Sequence, residues 1–155
     1  MIEQKKIAVI AHLRRNARAK LTYISRQTGL PVSTIFEYIK RNDEGIVRRT
    51  TSLVDFAKLG FSTRVHIILQ ASVEGRQALL EFLLKHKNVN SLYKINNGYD
   101  YLAEGVFKSI GALEEFLEKL SVQFKVKRKE VYHIIDDIKR EEFLSDPQLV
   151  DMTMN

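Results

Sequence analysis

Hydroxyl, carboxylate and basic side chains lie close together in residues 30–42, LPVSTIFEYIKRN. Four apolar residues of this stretch recur at i, i+3, i+4 and i+7, which predicts a helix with one buried stripe. They are Val32, Ile35, Phe36 and Ile39. The opposite face would carry Ser33, Thr34, Glu37, Tyr38, Lys40 and Arg41. Such groups bond to base edges and pair with phosphates, so this face fits nucleic acid as well as it fits solvent.

A second group of polar residues, Asn97-Gly98-Tyr99-Asp100, follows a stretch of strand-forming residues. Asn-Gly is a strong signal for a tight hairpin, because both residues tolerate a positive φ. The turn amides and the carboxylate of Asp100 could hold an amino group. A turn with no ligand is the alternative, and a metal site is disfavoured because Asp100 lacks further ligands in its neighbourhood of the sequence.

The remaining polar residues do not have the spacing of a catalytic or metal site. His12, His66, His86 and His133 show no ligand pattern, and the chain has no cysteine. A phosphate-binding glycine loop and a nucleophile elbow are also absent from the sequence. We therefore expect no enzyme activity, no metal and no cofactor.

The positive charge is concentrated in the first part of the chain. Residues 1–62 carry twelve basic and five acidic side chains, a net charge of +7, whereas residues 63–155 carry thirteen basic and fourteen acidic ones. This asymmetry suggests a module that binds a polyanion, joined to a nearly neutral module. A solvated basic surface is the alternative.

The apolar segments are too short to cross a membrane. No run approaches the ~20 residues that a spanning helix needs, and the N-terminus, MIEQKKIAVIAHLRR, is too charged for a secretory signal. We therefore expect a cytoplasmic protein that does not contact a membrane.

Helical periodicity in the first part of the sequence predicts three helices, over residues 3–15, 20–28 and 30–42. Gly29 is suited to the left-handed end of the second helix, and Pro31 to the start of the third. This order is that of a helix-turn-helix domain, residues 1–52. Gly45 would end the third helix, and the β-branched residues 46–54 would form a short strand or wing. Residues 53–62 would be a linker.

The second part of the sequence alternates strand and helix signals. Strands are predicted at 63–72, 89–95, 99–107 and 130–136, and helices at 75–86 and 109–120. The order β-α-β-β-α-β indicates an α+β, ferredoxin-like sandwich over residues 63–140, followed by a tail at 141–155 that is either a short helix or disordered. One sheet face would remain open, and such faces commonly pair with a second subunit.

Three stretches of this sequence resemble the leucine-responsive/asparagine-response (Lrp/AsnC, feast/famine) regulators. NARAKLTYISRQTGLPVSTI is similar to the family's helix-turn-helix stretch at Arg18, Gly29, Leu30, Ser33 and Thr34. GIVRRTTSLVDFAKLGF is similar to its linker at Gly45, Ile46, Val54, Asp55, Leu59 and Gly60. NNGYDYLAEGVF resembles its sandwich hairpin at Gly98, Asp100 and Tyr101.

The resemblance implies a function for each module. The first would bind double-stranded DNA, and the second would form a homodimer and assemble further, commonly to an octamer. An amino-acid effector bound between sandwich domains near the hairpin would alter assembly or DNA binding. Its contacts would come from Asn97, Gly98, Tyr99 and Asp100.

The resemblance also assigns residues to the DNA interface. On the third helix, bases would be contacted by Ser33, Thr34, Glu37 and Tyr38, and phosphates by Lys40 and Arg41. The second helix would cross the DNA backbone and contact phosphates through Lys20, Thr22 and Arg26. The wing would contact a neighbouring phosphate or the minor groove through Arg48 and Arg49. The family often has arginine at the positions of Glu37 and Tyr38, and a core leucine at that of Asn42. A different base preference is therefore expected.

Two other functions remain open. Sirohaem decarboxylases have a similar architecture, and Arg64, His66 and His133 could serve such chemistry, but the charge excess lies in the helix-turn-helix part and favours DNA. The other alternative is a nucleoid-organising protein that binds DNA without an effector.

Overall fold

Both ends of the chain contribute to the first of two structural units. In a computed structural model, which describes residues 4–41, 45–150 and 152, residues 1–53 and 138–155 form one unit and residues 54–137 form the other. The helices of the first unit are α1 (Gln4–Arg15), α2 (Leu21–Thr28) and α3 (Val32–Arg41). The predicted helix boundaries at residues 3 and 42 lie outside the described residues.

The core of the first unit is small and apolar. Val9, Ile24, Leu30 and Ile35 form a buried cluster, with Leu13, Ala19, Leu21 and Tyr38 packed around it. Since Leu30 lies in the short connection between α2 and α3, the turn itself belongs to this core. The three helices therefore surround a single cluster.

The sequence interpretation of α3 was wrong for three of its four apolar residues. Ile35 is fully buried, but Val32 and Ile39 are each 40 % exposed and Phe36 is 48 % exposed. Tyr38, which was expected on the outer face, packs against the core instead. Ile35 and Tyr38 lie three residues apart on one side of the helix, and this narrow contact with α1 and α2 leaves the rest of the apolar stripe outside.

The expected strand at residues 46–54 is absent from the structure. Residues 45–53 have no regular secondary structure, and no strand of the described residues pairs with them. A strand needs a neighbour for its backbone hydrogen bonds, and β-branched composition alone does not supply one. The linker that follows contains a 3₁₀ turn, Ala57–Leu59, whose first amide donates to the carboxylate of Asp55.

The second unit is the predicted α+β sandwich, a four-stranded antiparallel sheet with two helices. Its elements are β1 (Thr63–Ala71), α4 (Arg76–Lys85), β2 (Val89–Lys94), β3 (Tyr101–Phe107), α5 (Ile110–Phe124) and β4 (Val126–His133). The strand order is β2-β3-β1-β4. The largest boundary difference is at β4, which begins four residues before the prediction because α5 runs on to Phe124 and ends at Lys125 with φ +49°.

The two faces of this sheet differ in character. Val65, Ile67 and Leu69 of β1 are fully buried in a cluster with residues of both helices. The register places Ile68 beside Leu102 on the other face, where Arg64 forms ion pairs with Glu104 and Asp137. This second face is therefore mixed, with apolar residues between ion pairs.

The C-terminal tail packs on the first helix. Val150 is 2 % exposed and clusters with Ile7 and Ala11 of α1, and Leu144 lies against them. Arg14 donates from Nε to the carbonyl oxygen of Phe143 at 2.7 Å and from Nη2 to that of Glu141 at 3.1 Å. A 3₁₀ helix, Pro147–Leu149, precedes Val150. The described part of the tail is thus integrated into the helix-turn-helix unit.

We predict that Val150→Ala lowers the free energy of unfolding of the first unit by about 2 kcal/mol, because it removes two buried methyl groups and leaves a cavity beside α1. Urea unfolding, monitored through the hydrogen exchange of α1 amides, measures this change. Val122→Ala is the matched control, because Val122 is 75 % exposed on α5. Equal stability of the two variants would show that the tail does not support α1.

Candidate nucleic-acid interface and effector hairpin

The turn between α2 and α3 is closed by hydrogen bonds from its own residues. Gly29 has φ +68°, and its N–H donates to the carbonyl oxygen of Ser25 at 2.9 Å. The Ser25 hydroxyl donates to the carbonyl oxygen of Leu30 at 2.6 Å, and that of Thr28 donates to the carbonyl oxygen of Ile24 at 2.8 Å. Glycine reaches the left-handed region without steric cost, so this turn can be tight.

The predicted DNA-contacting residues divide by exposure. Most are exposed, and three on α3 are half-buried: Thr34, Glu37 and Tyr38. The exposed ones are Lys20, Thr22, Arg26, Ser33, Lys40, Arg41, Arg48 and Arg49. Basic and hydroxyl groups are therefore available to a polyanion on α2, on α3 and in the segment after α3. Asn42, the residue at the family's core leucine position, lies outside the described residues.

Two side chains of α3 are engaged within the helix. Glu37 Oε2 lies 2.9 Å from Arg41 Nε in an i, i+4 ion pair whose side chains are both substantially exposed. Such pairs contribute little stability, because water and salt screen them. The pair nevertheless places a carboxylate beside a candidate phosphate contact, which lowers the positive charge at the end of α3. Lys40 Nζ lies 5.7 Å from the centre of the Phe36 ring.

Tyr38 is placed differently from its sequence-based assignment. Its ring packs against the buried cluster, and Lys6 Nζ of α1 lies 5.9 Å from the ring centre. The side chain thus links α1 to α3. Phe36 occupies the outer face instead, contrary to the prediction that it would be buried. Tyr38 could have indicated which side of α3 is buried. Its large ring lies three residues after Ile35, and so it competes with Phe36 and Ile39 for the position that packs against the core.

A buried histidine joins α1 to α2 in the same unit. His12 is 8 % exposed, and its ring meets the Tyr23 ring edge-on with the centres 5.7 Å apart. Burial, and secondarily the charge of Arg15, lower the pKa of His12 below its ordinary value. The ring therefore favours the neutral form, which suits a packing role.

The positive charge remains on the first unit even though that unit includes the acidic tail. Residues 1–53 and 138–155 carry thirteen basic and eight acidic side chains, a net charge of +5. The sandwich unit carries twelve basic and eleven acidic ones. A polyanion would thus be attracted mainly to the helix-turn-helix unit.

The hairpin between β2 and β3 turns as the sequence predicts. Asn97 has φ +63° and Gly98 has φ +83°, and two consecutive positive values are characteristic of the type I′ turn that Asn-Gly favours. Below the turn, the N–H of Ile95 donates to the carbonyl oxygen of Asp100 at 3.0 Å. The four candidate effector residues therefore lie at the end of one β-ribbon.

Asp100 ties this hairpin to the rest of the sandwich. Its Oδ2 accepts a hydrogen bond from the N–H of Ala71 at 2.8 Å, and its Oδ1 lies 2.8 Å from Nε of Arg76. The side chain is only 14 % exposed. Both carboxylate oxygens thus have partners within the sandwich, which supports a structural role beside any role in ligand binding.

Tyr99 connects the turn to the edge strand β4. Its hydroxyl donates to Glu130, which also accepts a hydrogen bond from the Tyr132 hydroxyl. The bond to Glu130 raises the pKa of Tyr99 above its ordinary value. Arg128 lies over the Tyr99 ring, 4.9 Å from its centre. Tyr99 therefore ties the hairpin to β4, in addition to the contacts that Asp100 makes with β1 and α4.

A groove of about 420 Å³ lies beside the hairpin, between α4 and the β2-β3 ribbon. Arg76 and Lys94 contribute positive charge to its wall, and Leu80 and Leu92 contribute apolar surface. A small ligand with a carboxylate and an apolar side chain matches this lining. The four turn residues do not line this groove, so it is a separate candidate site next to the hairpin.

The residues named for tetrapyrrole chemistry do not converge. His66 pairs with Tyr132, and His133 pairs with Val65, so the two histidines lie on opposite faces of the sheet. Arg64 is held by Asp137 and Glu104. Among the described residues, no group of three histidine or acidic side chains is arranged to hold a metal ion, and no helix is long and apolar enough to span a membrane.

The model of the Lrp/AsnC ligand-binding domain matches residues 62–143, more than half of the chain. The chain belongs to the Lrp/AsnC family. Among its relatives, the HTH-type transcriptional regulator FL11 of Pyrococcus abyssi is 29 % identical over 111 residues, which cover 71 % of this chain and 74 % of FL11. The family resemblance seen in the three sequence stretches is thus confirmed.

Solved structures of Lrp/AsnC regulators share the fold of this protein. AsnC of E. coli superposes with a TM-score of 0.77 at 20 % identity, covering 90 % of this chain and 96 % of AsnC. The regulator NMB0573 of Neisseria meningitidis, described as a complex with L-Met, superposes with a TM-score of 0.81 at 19 % identity, covering 90 % and 94 %. The predicted α+β architecture, a helix-turn-helix followed by a ferredoxin-like sandwich, is confirmed.

Proposed function

We propose that this Lrp/AsnC protein is a transcriptional regulator that binds specific sequences of double-stranded DNA by placing α3 in the major groove. The observation that carries the proposal is the α2-turn-α3 arrangement, closed at Gly29 and bearing basic and hydroxyl groups on its exposed surface. The names of the relatives, which are HTH-type transcriptional regulators, support the same function.

The exposed residues of α3 divide into reading and anchoring groups. Ser33 lies in the first turn of the helix, the part that meets base edges when a recognition helix enters the major groove. Lys40 lies in the last turn, where its charge suits a phosphate. Arg41 has the same position along the helix, but its pairing with Glu37 reduces what it offers to DNA.

The second part of the proposal is a homodimer formed through the open sheet face. On this face Ile68 pairs with Leu102, and Val106 pairs with Arg64 at the end where the Arg64 ion pairs lie. Pairing through a sheet face would give two copies of α3 related by a two-fold axis, so that each could enter one half-site. Assembly to an octamer would add further half-sites.

The third part is regulation by an amino acid at the hairpin. A carboxylate would meet Lys94, and an apolar side chain would lie against Leu80 and Leu92. Arg76 also lines the groove, but it is already paired with Asp100. Asn97 and Gly98 form the exposed tip nearby. The likeness to NMB0573, which was solved with L-Met, supports this class of ligand.

We predict that Lys40→Ala reduces the slope of log Kd against log salt concentration by about one unit, since each lost phosphate contact removes one released counterion. Fluorescence anisotropy with a random-sequence duplex at several NaCl concentrations measures the slope. Lys127→Ala, an exposed lysine of β4, is the matched control and should leave it unchanged. Identical slopes for all three proteins would contradict the phosphate role of Lys40.

We predict that at least one of the twenty amino acids raises the melting temperature of the protein, because a ligand that binds only the folded state stabilises it. Lys94→Ala should reduce that shift by removing a cation from the groove, whereas Lys127→Ala should not. Melting curves with each amino acid at millimolar concentration make the measurement. An unchanged melting temperature with all twenty would contradict amino-acid regulation.

A further inference from the structure

The outer surface of α3 carries an apolar stripe that the helix-turn-helix core does not use. Val32, Phe36 and Lys40 are spaced at i, i+4 and i+8, so the three side chains follow one another along one side of the helix. Val32 is 40 % and Phe36 48 % exposed. Ser33 lies beside Val32. A stripe of this kind on a small soluble unit marks an interaction surface.

Packing within the unit does not account for this stripe. The fully buried Ile35 and the core-facing Tyr38 supply the contact of α3 with α1 and α2. A helix that only needed to pack would gain nothing from a large aromatic ring on its far side. The position of Phe36 therefore calls for an occupant from outside the unit.

The charge around the stripe indicates which occupant fits. The ammonium group of Lys40 lies over the Phe36 ring, Arg41 follows it, and the whole unit carries a net charge of +5. A purely apolar partner would have to bury the ammonium group of Lys40, whereas Arg41 is already paired with Glu37. A duplex offers phosphates to the cations, and in its major groove it also offers an apolar group, the C5-methyl of thymine.

We propose that Phe36, together with Val32, selects thymine by packing against C5-methyl groups in the major groove. This rests on the proposed function, because it assumes that α3 enters that groove. Phe36 is then a specificity-determining residue, and Lys40 beside it anchors the phosphate backbone. Glu37 is paired with Arg41 and Tyr38 packs against the core, so neither presents its polar group freely to a base. The stripe would instead recognise bases through apolar contacts.

The expected effect follows from the transfer of one methyl group out of water. Burying a methyl-sized group against an aromatic ring corresponds to about a fourfold gain in affinity. A half-site with two such contacts would change about fifteenfold when both methyl groups are removed. These changes are large enough to be measured by titration.

Deoxyuridine in place of thymidine removes only the C5-methyl group and therefore tests the proposal directly. The full-length protein first selects its preferred duplex from a random pool. Each thymidine of that duplex is then replaced by deoxyuridine, one position at a time, and affinities are measured by anisotropy. We expect one or two positions in each half-site at which the replacement weakens binding about fourfold.

Variants at Phe36 assign the effect to this side chain. With Phe36→Ala, the thymidine and deoxyuridine duplexes should bind equally at those positions, while the salt slope on random DNA stays that of the wild type. Phe36→Leu should retain a smaller preference for thymidine, which guards against misfolding of the alanine variant. Phe143→Ala, at a 71 % exposed ring of the same unit, should keep the full preference.

Each other outcome overturns a distinct part of the proposal. Salt-dependent binding with no sensitivity to deoxyuridine anywhere would overturn methyl readout and leave DNA binding intact. Failure to bind any duplex would overturn the proposed function itself. Phe36→Ala could instead change the number of subunits measured by sedimentation while keeping the wild-type difference in affinity between the thymidine and deoxyuridine duplexes. In that case the stripe contacts a second copy of the chain and the proposal is wrong.

Discussion

Ile24 and Ile35 are both fully buried in the small cluster where α2 and α3 meet α1. The cluster fixes the direction of α3, and the turn at Gly29 allows two helices to approach it within three connecting residues. Burying such side chains contributes about 2 kcal/mol each, so these two residues stabilise the packing of α2 and α3 substantially. Everything that α3 presents to a partner depends on that geometry. The cluster packs against the side of α3 that carries Ile35, and Phe36 and Lys40 are therefore left exposed on the other side.

Two further contacts extend this arrangement. The tail places Val150 and Leu144 against the face of α1 that carries Ile7 and Ala11, so that α1 is packed on more than one side. In the sandwich, Asp100 fixes the hairpin to β1 and α4 through Ala71 N–H and Arg76. Each unit thus holds its candidate binding residues on a packed scaffold, and the candidate effector hairpin is not a loose loop.

Much of the fold could be predicted from the sequence, because the residues that mark its turns and strands act on the backbone conformation in their own neighbourhood. The glycine at 29 and the Asn97-Gly98 pair each need a particular backbone conformation, and the structure shows positive φ at all three. The apolar residues Val65, Ile67 and Leu69 alternate along β1, as is typical of a strand with one buried face, and the structure buries all three. The predictions that failed depend on tertiary contacts: residues 46–54 find no strand partner, and β4 begins earlier than predicted, directly after the end of α5. For the tail, the sequence left both a short helix and disorder open, and the structure packs Val150 against α1.

The candidate DNA-binding face illustrates the same limit more sharply. A helical period identifies residues that share a side, but it does not say which of two adjacent apolar sides faces the core. Tyr38 was assigned to the outer face and Phe36 to the inner face, and the structure reverses both. The charge distribution does not depend on helix orientation, so the prediction that the first unit attracts a polyanion is unaffected by this reversal.

Dimethyl sulfate probing of a bound duplex measures whether α3 enters the major groove. This reagent methylates guanine N7 in the major groove and adenine N3 in the minor groove, two sites on opposite edges of the base pair. If α3 enters the major groove, guanine N7 should be protected in two patches about ten base pairs apart, while adenine N3 between them stays reactive. Protection of adenine N3 alone, or no protection of guanine N7 in a duplex that is fully bound, would contradict it.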